Sequence, residues 1–158
     1  MAYDFTAEDI FRLACEIEKN GAEFYKSAAE SVSDENEKSL LMRLSDMEVE
    51  HEKMFESMKQ ELSEQEKAAT VFDPEDETML YIKALADVRV FFEKPMDTGS
   101  MESIFKAAIQ AEKDSIVLYL GMMDLVGEKF GKERINKIIK EEMGHIRLLA
   151  RELRRLSR

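Results

Sequence analysis

Histidine occurs twice in this chain, and each time a glutamate stands three residues before it: Glu48 before His51, and Glu142 before His145. Residues three apart on a helix leave the same face, so each pair offers a carboxylate beside an imidazole. A further glutamate lies thirty residues ahead of each pair, Glu18 ahead of Glu48 and Glu112 ahead of Glu142. The midpoints of those two intervals are residues 33 and 127, in or beside turn-forming sequence. In a helical hairpin the upstream glutamate therefore returns to the height of its Glu-x-x-His pair. Six side chains with metal-ligating atoms would meet at one level. Glutamate fills 24 of 158 positions, so one Glu-x-x-His has about a 15% chance of arising at a given histidine. Both pairs with both upstream glutamates have a chance of about five in ten thousand, which makes coincidence a poor account.

The elements that must carry these residues are helices. Six glycines, two prolines and no tryptophan leave few breaks in the chain. A first helix should start after Thr6, with Ala7-Glu8-Asp9 as an acidic first turn that suits the helix dipole. Its small and apolar stripe runs Phe11, Ala14, Gly21, Ala22, Tyr25, Ala29, near a 3.6-residue period, with Glu18 in the middle. Ser31 to Asn36 reads as a turn, with Ser33 as the expected N-cap of a second helix that turns Leu41, Leu44, Met47, Phe55, Met58 and Leu62 inward. Asp73-Pro74 opens a third helix to about residue 92, and the stretch 94–100 with Pro95 and Gly99 reads as a loop. A fourth helix covers about 101–126, a turn spans 127–131, and a fifth runs from about 132. Its last turns carry Arg147, Arg151, Arg154, Arg155 and Arg158, which complement the negative end of the dipole.

The first hairpin maps onto the last when 94 is added to each residue number. Ile10-Phe11 falls on Ile104-Phe105, Ala14 on Ala108, Tyr25 on Tyr119, Leu44 on Ile138, and both ligand-type pairs on each other. The fold class expected is all-α: a four-helix bundle with one long crossover that carries an additional helix. One domain spans 1–158, built from a hairpin at 6–62, a crossover at 63–100 and a hairpin at 101–157. Four carboxylates in its interior would each cost several kcal/mol unless neutralised. Two divalent cations supply the matching charge, and carboxylate with imidazole suits iron or manganese.

Composition narrows the partners. There are 34 acidic and 23 basic side chains, a formal charge of −11, which argues against nucleic acid because phosphates would be repelled. The longest apolar run, from Ile116 to Met123, is about eight residues against the roughly 20 that span a bilayer, so no membrane partner is expected. The N-terminal residues are acidic and lack an apolar signal core, so a cytoplasmic location is expected. The single Cys15 excludes an internal disulfide, a cysteine-based zinc site and a rubredoxin-type iron centre within this chain.

With both motifs in place, the chain resembles the rubrerythrin branch of the ferritin-like superfamily. The carrying segments are Glu18-Lys19-Asn20-Gly21-Ala22-Glu23-Phe24-Tyr25 and Glu112-Lys113-Asp114-Ser115-Ile116-Val117-Leu118-Tyr119, with the two Glu-x-x-His pairs. The resemblance implies a ferritin-like di-iron bundle in which Glu18, Glu48, Glu112 and Glu142 supply terminal and bridging carboxylates. His51 and His145 would give one imidazole per metal. Two iron ions are the implied cofactor, with manganese or zinc as substitutes. The implied activity is reduction of hydrogen peroxide or dioxygen in oxidative-stress defence. Ferrous iron oxidation and storage is the alternative, and a metal-free structural bundle a third reading.

Three features depart from the family pattern. No rubredoxin domain occurs in these residues, so an external donor such as a rubredoxin-like protein is expected. Peroxidase-type members carry another glutamate one turn after the second upstream ligand, where this chain has Ser115; the matching position in the first hairpin is Gly21. These small residues would leave room for an oxidant at the metals. The crossover is also longer than in the shortest members. A homodimer is the expected assembly.

Other residues have plainer readings. Tyr25 and Tyr119 follow Glu18 and Glu112 by two turns and would hydrogen-bond a ligand carboxylate across the bundle. Cys15 reads as a small core hydrophobe and the eleven methionines as core filling. Glu16, Glu23, Glu50 and Glu52 read as a solvated face, Glu52 nearest to an exception. Lys19 and Lys113 read as rim ion pairs. Gly144 suggests another helix packed closely beside His145.

Overall fold

The computed structural model describes residues 6–62, 80–81, 84, 99–125 and 131–158. Four long helices make up the described part of the fold: α1 (Ala7–Ser31), α2 (Glu35–Gln60), α3 (Met101–Leu125) and α4 (Lys132–Leu156). No strand occurs among the described residues. The helices pair as two hairpins, α1 on α2 and α3 on α4, and α1 packs on α3 to join them. The additional crossover helix expected from Asp73-Pro74 lies outside the described residues, apart from Leu80, Tyr81 and Ala84, each in helical conformation.

Local chemistry explains where the helices begin. Thr6 and Asp9 form a capping box: the Asp9 amide donates to Thr6 Oγ1 (3.2 Å) and the Thr6 amide to Asp9 Oδ2 (2.9 Å). The cap of α2 is Asp34 and not the expected Ser33. Asp34 Oδ1 accepts from the amides of Asn36 (2.9 Å) and Glu37 (3.0 Å). A carboxylate satisfies two orphan donors there and adds a charge that the helix dipole favours, which a serine hydroxyl does not. Gly131 precedes α4 at φ 96°, a left-handed conformation that glycine adopts without the Cβ penalty. Arg134 then reaches back from α4 to the end of α2, with Nη1 and Nη2 at 3.1 and 2.5 Å from the two Glu61 carboxylate oxygens.

The inward stripes are as the spacing requires, with one difference. Phe11, Ala14, Gly21, Ala22, Tyr25 and Ala29 are buried in α1, and Leu41, Leu44, Phe55, Met58 and Leu62 in or beside α2. Met47 is only half-buried. Two apolar clusters result. One gathers Phe11, Phe55, Tyr119, Met122 and Ile138; the other gathers Tyr25, Leu41, Leu44, Phe105 and Leu149. Buried polar side chains lie between them in sequence along every helix. On α2, for example, Ser45, Glu48 and His51 fall between Leu44 and Phe55. Ser45 is locked in place, since its Oγ donates to the Ala22 carbonyl of α1 at 2.8 Å. None of the described helices packs against Gly144, contrary to expectation: its nearest described neighbour for an added Cβ is Arg147 Nη2 of its own helix, at 3.9 Å.

Candidate metal centre

Each helix delivers one glutamate to the gap between the apolar clusters, and α2 and α4 each add a histidine one turn further on. All six side chains are buried, none more than 3% exposed. Their ligand-type atoms fall into two sets, Glu18, Glu48, His51, Glu142 and Glu48, Glu112, Glu142, His145, within each of which the atoms lie within 4.8 Å of one another. The sets share Glu48 and Glu142. That overlap is the topology a pair of ions needs: one private glutamate and one histidine for each position, with two carboxylates in common.

Glu142 stands at the junction. Its Oε1 lies 3.0 Å from His51 Nδ1 and its Oε2 lies 2.8 Å from His145 Nδ1. His51 Nδ1 is also 3.4 Å from Glu18 Oε2, and His145 Nδ1 is 3.1 Å from Glu48 Oε1 and 3.3 Å from Glu112 Oε1. The two imidazole rings stack 5.8 Å apart at 21°.

Protons alone do not satisfy this cluster. Every one of the six residues has at least one buried atom that lacks a hydrogen-bond partner in bonding geometry, including Glu48 Oε1, His51 Nδ1 and both oxygens of Glu142. Such atoms each cost about 1–3 kcal/mol when left unmet. The donor set of four carboxylates and two imidazoles fits two divalent first-row ions in charge and in ligand type.

The titration of the metal-free cluster agrees. Burial pushes Glu48 well above the usual carboxylate range, and Glu112, Glu18 and Glu142 add to the push. Burial and the nearby Glu142 charge raise Glu112 to about 8 against the pull of His145. Burial also works to raise Glu142, but the two histidines outweigh it and hold this carboxyl down at about 2. For the histidines burial works against the charged form; carboxylate partners win, raising His51 to about 11 and His145 to about 9.

The two tyrosines sit crosswise. Tyr25 of α1 donates to Glu112 Oε1 of α3 at 2.5 Å, and Tyr119 of α3 donates to Glu18 of α1. Burial and the carboxylates raise both phenols well above their ordinary value, so both keep the proton they donate. Replacing Tyr119 by phenylalanine should free the Glu18 carboxylate to rotate and weaken metal uptake by about 10–100-fold. Equilibrium dialysis against cobalt(II) checks this; an unchanged affinity would remove any orienting role for the hydroxyl.

Gly21 and Ser115 are buried as well, and Ser115 Oγ donates to the Ala111 carbonyl of its own helix at 3.0 Å. Cys15 is half-buried against the Glu52 carbonyl and Glu56, and burial followed by the Glu56 charge pushes its thiol up to about 12, which leaves it unreactive. Glu16, Glu23 and Glu50 are exposed and Glu52 is half-buried. Lys19 and Lys113 are exposed too, but neither makes the expected ion pair with a described residue. One neighbour of the centre is not evident from the motifs: Glu141 Oε2 lies 2.8 Å from His51 Nε2. No motif marks this position, and the 94-residue offset places Met47 there in the first hairpin.

A helical bundle with one glutamate on each of two helices and a Glu-x-x-His pair on each of the other two defines the ferritin-like carboxylate class. A solved structure of a ferritin-like diiron-carboxylate protein from Thermotoga maritima has the same fold, with a TM-score of 0.70 and 24% identity over 94% of this chain and 95% of that one. No curated protein matches the chain significantly. The rubrerythrin family model matches residues 9–153, and the chain belongs to the rubrerythrin family. None of the described helices is long and apolar enough to cross a membrane.

Proposed function

We propose that the chain holds two iron ions and reduces hydrogen peroxide or dioxygen with electrons from an external donor such as a rubredoxin-like protein. Manganese or zinc would substitute in binding. The observation that carries the reading is the set of unmet buried atoms on all six residues, Glu18, Glu48, His51, Glu112, Glu142 and His145. Glu18 and His51 would serve one ion, Glu112 and His145 the other, and Glu48 and Glu142 both. Two ferrous ions would supply one electron each, the two that splitting a peroxide O–O bond into two waters requires, together with two protons.

The protein's own part is to hold these donors rigid in a dry interior. Tyr25 and Tyr119 fix Oε1 of Glu112 and of Glu18, and Oε2 of each carboxylate is buried without a hydrogen-bond partner. Apolar clusters on both sides exclude water and strengthen every charge interaction between them. Small side chains at Gly21 and Ser115 would leave space for the oxidant. The setting this reading implies is a cytoplasmic homodimer.

The test is to load the protein anaerobically with two equivalents of ferrous iron and mix it with one equivalent of peroxide or of dioxygen in a stopped-flow spectrometer. At least one of the two oxidants is expected to oxidise the site faster than it oxidises free ferrous ion, and a reduced rubredoxin to return it to the ferrous state. Oxidation no faster than that of free ferrous ion with either oxidant would sink the enzyme reading. Continued uptake of iron well beyond two per chain, in an assembly much heavier than a dimer, would favour oxidation and storage instead.

A further inference from the structure

The two halves of the centre are alike in every ligand-type residue and unlike in what stands behind the histidines. His51 presents Nδ1 to Glu18 and Glu142, and its far nitrogen, Nε2, meets Glu141 Oε2 at 2.8 Å. His145 also presents Nδ1 to the carboxylates, yet its Nε2 is buried with no hydrogen-bond partner. The difference is written in the sequence: the position that is Glu141 on α4 is Met47 on α2, 94 residues earlier. A thioether is a weak acceptor at best and carries no charge.

The Glu141 side chain is 35% exposed, and its Oε1 lies 3.9 Å from Lys137 Nζ one turn back on α4. The carboxylate thus stays partly open to water while its second oxygen reaches a nearly buried ring. An imidazole whose Nε2–H is held by a carboxylate has its proton fixed on that nitrogen and its Nδ1 lone pair free, and it is the more basic ligand for it.

We propose that Glu141 is a positioning residue that holds His51 with its proton on Nε2 and Nδ1 toward the cluster, making the Glu18–His51 half the tighter of two unequal metal positions. The inference rests on the dinuclear reading above and deepens it by giving the ions an order of filling. The partner of Nε2 has a second consequence. Ring rotation about Cβ–Cγ would break the contact with Glu141, so the ring is fixed in the metal-free chain as well.

Anaerobic titration of the full chain with cobalt(II), followed by its visible d–d absorption, tests this without recourse to activity. The native protein should fill in two steps separated by about tenfold or more in affinity. Glu141→Met, which copies the residue of the other hairpin, should weaken the first step by about 10–100-fold and merge it with the second. Glu141→Gln keeps an oxygen that accepts from Nε2–H and should restore most of the separation. A carboxylate that served only surface packing would give no such rescue. Helix content by circular dichroism confirms that each variant is folded. Two steps in Glu141→Met with native affinities, or an equal weakening of both, would overturn the role of Glu141. A native chain that takes up no cobalt would instead overturn the dinuclear reading itself.

Discussion

Replacing Glu142 by alanine should empty both metal positions together, lowering uptake from two ions per chain to less than one at micromolar metal. Among the described residues no other carboxylate lies within 4 Å of both histidines: its two oxygens lie 3.0 Å from His51 Nδ1 and 2.8 Å from His145 Nδ1, and it belongs to both ligand-type sets. Loss of a shared carboxylate removes one ligand atom from each position and the single negative charge that the two share. The affinity of each should fall by about 100-fold or more, since loss of an outer partner alone costs 10–100-fold. The metal-free chain should suffer as well. Glu142 is the carboxylate that both buried histidines hold ionised, and removing one partner of a buried charge pair costs about 3–5 kcal/mol. Glu112→Ala makes the contrast, because Glu112 belongs to one set only. It should leave one ion bound with near-native affinity, which metal analysis after gel filtration reads directly. Equal loss of metal in both variants would show that Glu142 is not shared between the two positions.

The centre was legible because its residues are rare or out of place. Two histidines in 158 residues, each with glutamates at the same two spacings, leave little for the structure to choose. Glu18 and Glu112 interrupt apolar stripes, and an ionisable group on an inward face needs a partner. Tyr25 and Tyr119 were visible from the same stripes, although only the packing of α1 on α3 decides that each reaches the glutamate of the opposite helix. Glu141 was not visible in this way. Lys137 stands one turn before it on the same helix face, and a glutamate four residues after a lysine reads as a solvated surface. What brings it to His51 is the approach of α4 to α2, a tertiary fact with no periodic signature. The N-cap of α2 was misplaced by one residue for a local reason: Ser33 and Asp34 are both good caps, and the amides of Asn36 and Glu37 select between them. Gly144 carries a different lesson. A glycine within a helix suggests a close neighbour, and none of the described helices provides one.

Metal binding should become stronger, and the metal-free chain weaker, as the pH rises from 6 to 8. In the metal-free chain Glu48 and Glu112 are raised, the latter to about 8, and His51 and His145 are raised to about 11 and 9. At pH 7 Glu112, His51 and His145 therefore hold about three protons that metal must displace, and the upward shift of Glu48 works in the same direction. Each of these raised groups stabilises the fold fully below its unfolded value, 4.5 for the acids and 6.5 for the histidines, and that stability is lost as pH climbs through the folded value. Glu142 works in the opposite sense. Its depressed value stabilises the fold above 4.5 and is lost only as pH falls toward about 2. Between pH 6 and 8 the native state thus binds more protons than the unfolded chain, and each excess proton lowers metal-free stability by about 1.4 kcal/mol per pH unit. Two ions at about 100 times their dissociation constants return about 5 kcal/mol, which for a chain of this size is roughly 10–20 °C in Tm. Calorimetric scans with and without cobalt(II) at pH 6 and pH 8 should show the larger metal-induced rise at pH 8. An unbuffered titration at pH 7 should release about three protons or more as two ions bind. A rise in Tm that shrinks with pH, or binding without proton release, would mean that protons and metal do not compete for these six residues.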